Sequence, residues 1–248
     1  YLLTTAACIV RQIKMQESCV IFVLCRPGIT KTGEIMYTDG IIFDVDGTLW
    51  DSTPIVAEAW TQAVLECGIK DRIVTAGELK QLFGKTMSVI AASLFPEAKE
   101  VQETILEKCC VYEEEALEEN QQDICYPDVR EVIKQLAKTY DLYIVSNCQA
   151  GYIEAFLKVT DLGEYVTDFE NPGRTGKPKA DNIRLVIERN NLDKAFYVGD
   201  TQGDYDATMA AGIPFIFAAY GFGNIDGDEE EIQGLNELPD LIDKLVEK

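Results

Sequence analysis

The sequence predicts an α/β protein built on a parallel sheet, and two observations carry this prediction. A continuous apolar run at residues 41–43 ends abruptly in two carboxylates, Asp44 and Asp46. Such a run is typical of a strand that is buried on both faces in the middle of a parallel sheet. From about residue 128 onward, strand-like runs alternate with amphipathic helical patterns, which indicates a sheet covered by helices on both faces.

Residues 1–35 differ from the remainder of the chain. They contain three cysteines, a short apolar run at residues 20–24 and a Pro27-Gly28 turn signal. The run is too short to cross a bilayer, and the order of charged and apolar residues is unlike that of a signal peptide. We predict that residues 1–35 form an extension outside the domain.

The first strand is predicted to lead into a helix. Asp46-Gly47 also has the form of a two-residue hairpin turn, and Asp-Gly is a common signal for one. However, the residues that follow include Ser52 or Thr53 as a helix cap, with Pro54 in the first turn, and this pattern favours a helix entry over a returning strand.

A helical insertion is predicted between the first and second strands, over residues 53–122. Thr75 and Glu78 have the spacing of a capping box. Residues 86–95 and 97–119 are predicted to form two further helices, the second acidic on most of its surface. No convincing strand pattern is found in this segment, so residues 36–52 and 123–248 are predicted to form the core around it.

The second part of the core consists of alternating helices and strands. Predicted strands cover residues 142–145, 165–169, 195–198 and 215–218, and predicted helices cover residues 128–140, 149–158, 180–190, 203–211 and 238–246.

The composition excludes several classes of function. The chain has 22 basic and 43 acidic residues, for a formal charge of −21, which argues against sequence-independent binding to nucleic acid or to an anionic membrane. It has no histidine, which excludes Ser-His-Asp and Cys-His catalysis and histidine-ligated zinc. The eight cysteines form no Cys-x-x-Cys pair, so free thiols and a cytoplasmic location are expected.

Polar residues follow several of the predicted strands. Because the carboxyl ends of parallel strands meet at one edge of a sheet, these residues are expected to converge there. They are Asp44, Asp46, Ser146, Asn147, Asp200 and Asp204, together with Lys177 in a Gly-rich loop before a helix.

This set of residue types suits phosphoryl transfer, which needs a nucleophile, neutralised phosphate oxygens and a proton donor for the leaving group. Asp44 can attack as a carboxylate, and Asp46 can act as general acid and base. Lys177 can stabilise the negative oxygens, a role that Lys179 can also fill.

Phosphate and metal contacts are predicted from the same residues. The Ser146 hydroxyl and the backbone amides at Asn147 and at residues 45–48, which include Gly47 and Thr48, can bind phosphate oxygens. The crowded carboxylates favour Mg²⁺, with Asp44, Asp46, Asp200 and Asp204 as candidate ligands.

Each feature also has a purely structural interpretation. Ser146 and Asn147 can form a strand-end turn, Lys177 can lie on a solvated loop, and Asp200 and Asp204 can cap a helix. The agreement in order and strand-end position across all of them favours the functional interpretation.

These motifs resemble those of the haloacid dehalogenase superfamily. Asp44-x-Asp46-Gly47-Thr48 is similar to its first motif, Ser146-Asn147 to its second, Lys177-Pro178 to its third and Gly199-Asp200-x-x-x-Asp204 to its fourth. The resemblance implies a three-layered Rossmann-like core and Mg²⁺ held by Asp44, the backbone carbonyl of Asp46 and Asp200. It also implies that Asp204 contacts the metal through water or orients Lys177.

The insertion resembles the small helical cap of the phosphoglycolate phosphatase-like branch, in which the cap closes over the site and selects the substrate. Gly84 and Lys85 are where a cap loop would face the site. Lys85 is then a candidate contact for an acidic substrate, although a solvated lysine between two helices fits the pattern equally well.

The sequence therefore predicts a Mg²⁺-dependent phosphatase for small phosphomonoesters, either phosphoglycolate-like compounds or sugar phosphates. A monomer or homodimer is expected, with no nucleic-acid or membrane partner. Three alternatives stay open. They are a sugar phosphomutase, which typically carries a histidine that this chain lacks, a phosphonatase with a cap lysine, and a catalytically silent binding protein.

Overall fold

A computed structural model describes residues 38–247 and the backbone of two short strands, β1 (Gly28–Ile29) and β2 (Ile35–Met36), which pair antiparallel. The prediction that residues 1–35 form an extension falls almost entirely outside the described residues.

The described core is a six-stranded sheet in which every neighbouring pair of strands is parallel. The strand order is β5-β4-β3-β6-β7-β8. The strands are β3 (Gly40–Phe43), β4 (Asp141–Val145), β5 (Val166–Glu170), β6 (Ala195–Gly199), β7 (Phe215–Ala218) and β8 (Glu230–Ile232). The predicted α/β fold is confirmed, and the strand that ends in Asp44 lies inside the sheet.

One of the two edge strands, β8, was not predicted from the sequence. Two of its three residues are exposed glutamates and only Ile232 is buried. No apolar run or alternation long enough to predict a strand is therefore present there.

Helices cover both faces of the sheet because successive strand residues point to opposite sides. Ile41 and Phe43 pack on one face, in the larger core cluster, and Ile42 packs on the other. The larger cluster includes residues of α5 (Val129–Leu136), α6 (Tyr152–Thr160) and α10 (Leu238–Glu247), and the smaller cluster includes residues of α8 (Lys179–Asn190) and α9 (Gln202–Ala211). A further short helix, α7 (Pro172–Thr175), lies in the loop after β5.

In the described chain, four helices and no strand lie between β3 and α5, over the segment that was predicted to be a helical insertion. They are α1 (Thr53–Glu66), α2 (Ala76–Leu82), α3 (Met87–Leu94) and α4 (Gln102–Glu119). The predicted capping box at Thr75 and Glu78 is formed. The fourth helix begins five residues later than expected, because Pro96 and the turns that follow it occupy the start of the predicted segment.

Two compositional expectations can be compared with the described part of the chain. The five cysteines found there, from Cys67 to Cys148, are all free. None of the described helices combines the length and the apolar character needed to cross a bilayer.

The packing of the insertion generates a stability prediction. Ile105 on α4 is fully buried, and Ile105→Ala should lower the free energy of unfolding by about 2–5 kcal/mol, because it removes apolar contacts and leaves a cavity. Val111 on the same helix is 53% exposed, so Val111→Ala should change it by less than about 0.5 kcal/mol. Urea denaturation of both variants measures the difference, and equal effects would contradict this packing.

Candidate active site

The two carboxylates of the first motif lie directly after β3, in a tight turn. The Asp44 amide donates to the carbonyl of Val198 on β6 at 2.9 Å, and the amides of Leu49 and Trp50 both donate to the carbonyl of Val45. The chain then enters α1, as predicted, and does not return as a hairpin strand. Both Asp44 and Asp46 are buried.

Three buried carboxylates meet at this edge of the sheet. Asp44, Asp200 and Asp204 each offer an oxygen atom, and these atoms all lie within 4.8 Å of one another. Asp200 follows β6, and Asp204 lies in the first turn of α9. Asp204 also forms a capping box with Thr201, so the structural alternative of helix capping holds for Asp204 alongside its position in the cluster.

Lys179 supplies the positive charge in the cluster. Its Nζ lies 2.8 Å from Asp44 Oδ1 and also forms an ion pair with Asp204, and its side chain is 3% exposed. Burial lowers the pKa of Lys179, but the carboxylates of Asp204 and Asp44 outweigh burial and raise it well above its usual range.

The prediction that Lys177 occupies this position is therefore wrong. Lys177 is exposed, its amide donates to Thr175 Oγ1, and its carbonyl accepts from Asn182. Pro178 is the N-cap residue of α8 and Lys179 is the first residue of that helix. Because α8 begins at Lys179, the side chain of Lys179 is buried in the core and contacts Asp204, whereas Lys177 is exposed.

Asp46 is held apart from the other carboxylates by its own hydrogen bonds. Its Oδ1 accepts from Tyr152 Oη at 2.7 Å, Ser52 Oγ at 2.7 Å and Trp50 Nε1 at 3.0 Å. The Asp46 side chain does not belong to the three-carboxylate cluster. Of the metal contacts expected for Asp46, only the one through its backbone carbonyl therefore stays a prediction. Burial raises the pKa of Asp46 to about 7, although the Tyr152 and Ser52 hydrogen bonds lower it.

The sequence analysis missed these three donors. Ser52 or Thr53 was expected to cap α1, and Ser52 does take the N-cap position, but its side chain makes no capping bond and donates to Asp46 instead. Tyr152 lies 106 positions from Asp46, and nothing in the local pattern linked the two. Trp50 is only four residues away and could have been recognised as a nearby donor.

Gly47 and Thr48 were predicted to bind phosphate, but their amides are already used within the turn. Gly47 donates to the Trp50 carbonyl and Thr48 to the Val45 carbonyl. Thr48 Oγ1 donates to Asp200 at 3.3 Å. A side chain at position 47 would collide with the Asp200 carboxylate, and Gly47 has a φ of +82°. Both residues shape the turn around Asp200.

The second motif connects the sheet edge to the insertion. Ser146 is buried, and burial raises the pKa of Asp44 to about 6 although Lys179 and the Ser146 side chain lower it. The Asn147 Nδ2 donates to the carbonyl of Gly84 at 2.7 Å, while the buried Oδ1 of Asn147 has no hydrogen-bond partner among the described residues. Gly84 thus lies at the site edge, as expected, whereas Lys85 is exposed.

A narrow pocket lies between the insertion and the strand ends. The residues lining it are Asp46, Trp60, Phe83, Gly84, Met87, Ile90, Glu113, Ser146, Asn147, Cys148, Gln149 and Tyr152. Lys85 is not among them.

Glu113 is the unexpected member of this pocket. It is 3% exposed, and it accepts from Trp60 Nε1 at 2.9 Å. Burial raises the pKa of Glu113 to about 8, although hydrogen bonds from Trp60 and Gln149 lower it. The buried residues of α4 recur every four positions as Ile105, Cys109, Glu113 and Leu117, so a glutamate within an apolar stripe was a signal that the sequence analysis missed.

The profile of the haloacid dehalogenase-like hydrolase family matches residues 41–218, which is most of the chain and spans every element of the site. The chain belongs to this family. The resemblance inferred from the four motifs is confirmed, as is the expectation of a hydrolase.

Curated relatives of this haloacid dehalogenase-like hydrolase include phosphoglycolate phosphatases. The protein of Escherichia coli strain K12 is 27% identical over 233 residues, covering 80% of this chain and 90% of the relative. The protein of Pseudomonas fluorescens is 28% identical over 193 residues, covering 74% of this chain and 70% of the relative.

Solved structures share its fold. A haloacid dehalogenase-like family protein from Streptococcus pneumoniae aligns with a TM-score of 0.72 at 20% identity, covering 83% of this chain and 98% of that one. A predicted phosphatase from Clostridium acetobutylicum aligns with a TM-score of 0.72 at 20% identity, covering 84% and 99%.

Lys177 and Lys179, the two lysines of the Lys-Pro-Lys segment, give a direct test of the site. Lys179→Met should lower the free energy of unfolding in metal-free buffer by about 3–5 kcal/mol, because it leaves Asp44 and Asp204 buried without their cation. The exposed Lys177→Met should change it by less than about 0.5 kcal/mol. Urea denaturation measures both, and a larger effect at Lys177 would restore the original assignment.

The buried Glu113 generates a pH prediction. Its pKa is about 8 in the folded protein against 4.5 ordinarily, so the unfolded chain binds fewer protons between these values and unfolding free energy should fall as pH rises through that window. The side chain of the Glu113→Gln variant does not titrate, so its free energy of unfolding lacks this pH-dependent contribution. Urea titrations at pH 5, 7 and 9 should show the parent losing stability relative to the variant as pH rises.

The matched control is Glu115→Gln, on an exposed position of the same helix, which should follow the parent at all three pH values. A stability difference between the parent and Glu113→Gln that does not change with pH would contradict the raised pKa.

Proposed function

We propose that the chain hydrolyses small phosphomonoesters in a Mg²⁺-dependent reaction that passes through a phosphorylated Asp44. The observation that carries this proposal is the separation of two carboxylates on one turn. Asp44 pairs with Lys179 beside Asp200 and Asp204, whereas Asp46 is held by Trp50, Ser52 and Tyr152.

The donor set fits a hard divalent cation. Asp44, Asp200 and Asp204 offer closely spaced carboxylate oxygens, which are the ligands that Mg²⁺ prefers. Burial raises the pKa of Asp200 well above its usual range, and the Asp204 and Asp44 carboxylates raise it further. One buried lysine does not neutralise three carboxylates, so a bound cation would relieve their repulsion.

Asp44, Asp200 and the backbone carbonyl of Asp46 would hold Mg²⁺ on this proposal, with Asp204 orienting Lys179. When bound, the ion supplies positive charge to the phosphate oxygens. Lys179 supplies a second fixed positive charge from a buried position, where charge stabilisation is stronger than in water. Ser146, which is buried directly after β4, would donate its hydroxyl hydrogen to a phosphate oxygen.

The two carboxylates divide the chemistry between them. An Asp44 oxygen attacks phosphorus, the bond from phosphorus to the ester oxygen breaks, and Asp46 gives its proton to that oxygen, so that the alcohol leaves. Asp46 then takes a proton from water, the oxygen of that water attacks phosphorus, and phosphate leaves as Asp44 is regenerated. A pKa of about 7 for Asp46 suits a group that both gives and takes a proton near neutral pH.

The relatives support a phosphomonoester substrate, because those reported above are named phosphoglycolate phosphatases. The alternatives have less support. The chain has no histidine for a mutase of the kind expected from the resemblance, and no lysine lines the pocket in the described part of the chain as a phosphonatase would require. A silent binding protein would not need both Asp44 and Asp46.

The proposal predicts metal-dependent phosphate release from para-nitrophenyl phosphate. Asp44→Asn should reduce the rate at least about a thousandfold, because an amide cannot replace the nucleophile, and excess EDTA should abolish it until Mg²⁺ is restored. Asp206→Asn, at an exposed position of α9, serves as the control and should retain the parent rate.

For this comparison the Asp44→Asn protein must be folded at the assay temperature, as a cooperative thermal unfolding transition above that temperature would show, because the substitution removes one of the two carboxylates that pair with Lys179. Full activity of a folded Asp44→Asn variant, or a rate that does not respond to EDTA, would contradict the proposed reaction.

A further inference from the structure

The pocket beside Asp46 is rich in hydrogen-bond acceptors. Asp46 and Glu113 contribute carboxyl groups, and the buried Oδ1 of Asn147 accepts no hydrogen bond from the part of the chain that the structure describes. The Asn147 amide orientation is fixed because its Nδ2 donates to the Gly84 carbonyl at 2.7 Å, so its oxygen stays available. No lysine or arginine is found among the described residues that line this pocket.

Glu113 lies on α4 and Asp46 in the turn after β3, so both parts of the chain contribute residues to the pocket. Trp60 Nε1 donates to Glu113 at 2.9 Å. A carboxyl group has about four lone-pair positions, and acceptor capacity on Glu113 therefore remains for a group inside the pocket. Trp60, Phe83, Met87 and Ile90 supply an apolar wall.

The position of the pocket beside Asp46 indicates which part of the substrate the pocket would bind. Phosphate would be held at Asp44, Lys179 and Ser146, and the ester oxygen would face Asp46, which protonates it on the proposed mechanism. Asp46 also lines the pocket, so the alcohol part of the ester is the part that would enter it.

We propose that Glu113 selects the substrate by accepting a hydrogen bond from a hydroxyl group on the alcohol part of the phosphomonoester, together with Asn147 Oδ1. This inference rests on the proposed phosphatase function and narrows it. The substrate class is a small phosphorylated polyol or sugar rather than a phosphorylated carboxylic acid.

Charge and burial both favour a hydroxyl over a carboxylate in this position. A second carboxylate would enter a buried pocket that has two carboxyl groups and an amide oxygen but no cation within the described lining, and an unpaired buried anion is strongly disfavoured. A hydroxyl can donate to Glu113 whether the carboxyl is ionised or protonated. The selection therefore does not depend on how Glu113 titrates.

The experiment compares three phosphate esters in the full chain with Mg²⁺. They are glycerol 3-phosphate, propyl phosphate, which lacks the hydroxyl groups, and phosphoglycolate. The parent should hydrolyse glycerol 3-phosphate with a kcat/KM about tenfold above that for propyl phosphate, because the net contribution of one hydrogen bond corresponds to about that factor. It should hydrolyse phosphoglycolate at least about tenfold more slowly than glycerol 3-phosphate.

Variants at position 113 separate selection from a structural role. Glu113→Ala should bring the ratio of glycerol 3-phosphate to propyl phosphate close to one, while Glu113→Gln, which keeps an acceptor oxygen, should retain most of that ratio. Glu115→Ala, on the exposed face of the same helix, should leave the ratio unchanged. The inference is overturned if phosphoglycolate is the best substrate of the parent, or if Glu113→Ala slows all three esters by the same factor.

Binding provides a measurement that is independent of turnover. Titration calorimetry on the Asp44→Asn protein with Mg²⁺ should give a Kd for glycerol 3-phosphate about tenfold below that for propyl phosphate, and the added Glu113→Ala change should remove the difference. A Kd for phosphoglycolate below that for glycerol 3-phosphate would overturn the inference. If the parent hydrolyses no ester but this binding order holds, the proposed catalysis fails and the selection by Glu113 stands.

Discussion

The ion pairs of Lys179 with Asp44 and Asp204 are the interaction on which the rest of the site depends. They join the end of β3 to the starts of α8 and α9 in a region that water does not reach. A buried charge is tolerated only when it is paired. The lysine therefore fixes how three separate parts of the chain meet at the sheet edge, and it holds one carboxylate of the first motif as an anion beside a cation.

The same turn gives its two carboxylates different surroundings. Asp44 faces Lys179 and other carboxylates, while Asp46 faces two hydroxyl groups and an indole N–H. Burial raises the pKa of both groups, to about 6 for Asp44 and about 7 for Asp46. Two residues of identical chemistry can thus take different roles in the proposed reaction, because neutral donors leave Asp46 able to carry a proton.

The insertion completes the site by meeting the core at two places. Asn147 bonds the Gly84 carbonyl, and Glu113 faces the pocket that Asp46 also lines. Close packing between Gly84 and Thr201, where an added Cβ would lie 3.2 Å from the threonine side chain, allows this approach. Residues of both parts therefore form the pocket, and its hydrogen-bond acceptors, which we propose to recognise a hydroxyl group, come together only where the two parts meet.

The sequence by itself determined the parallel α/β fold, the family, and the convergence of Asp44, Ser146, Asp200 and Asp204, because apolar runs that end in polar residues report directly on buried strands and their carboxyl ends. It did not reveal the edge strand β8, since exposed glutamates carry no strand periodicity. Only the tertiary structure decided between Lys177 and Lys179, which depends on where α8 begins. Only it brought Tyr152 to Asp46 and Glu113 to the pocket, because contacts between residues distant in the chain are set by packing and leave little local pattern.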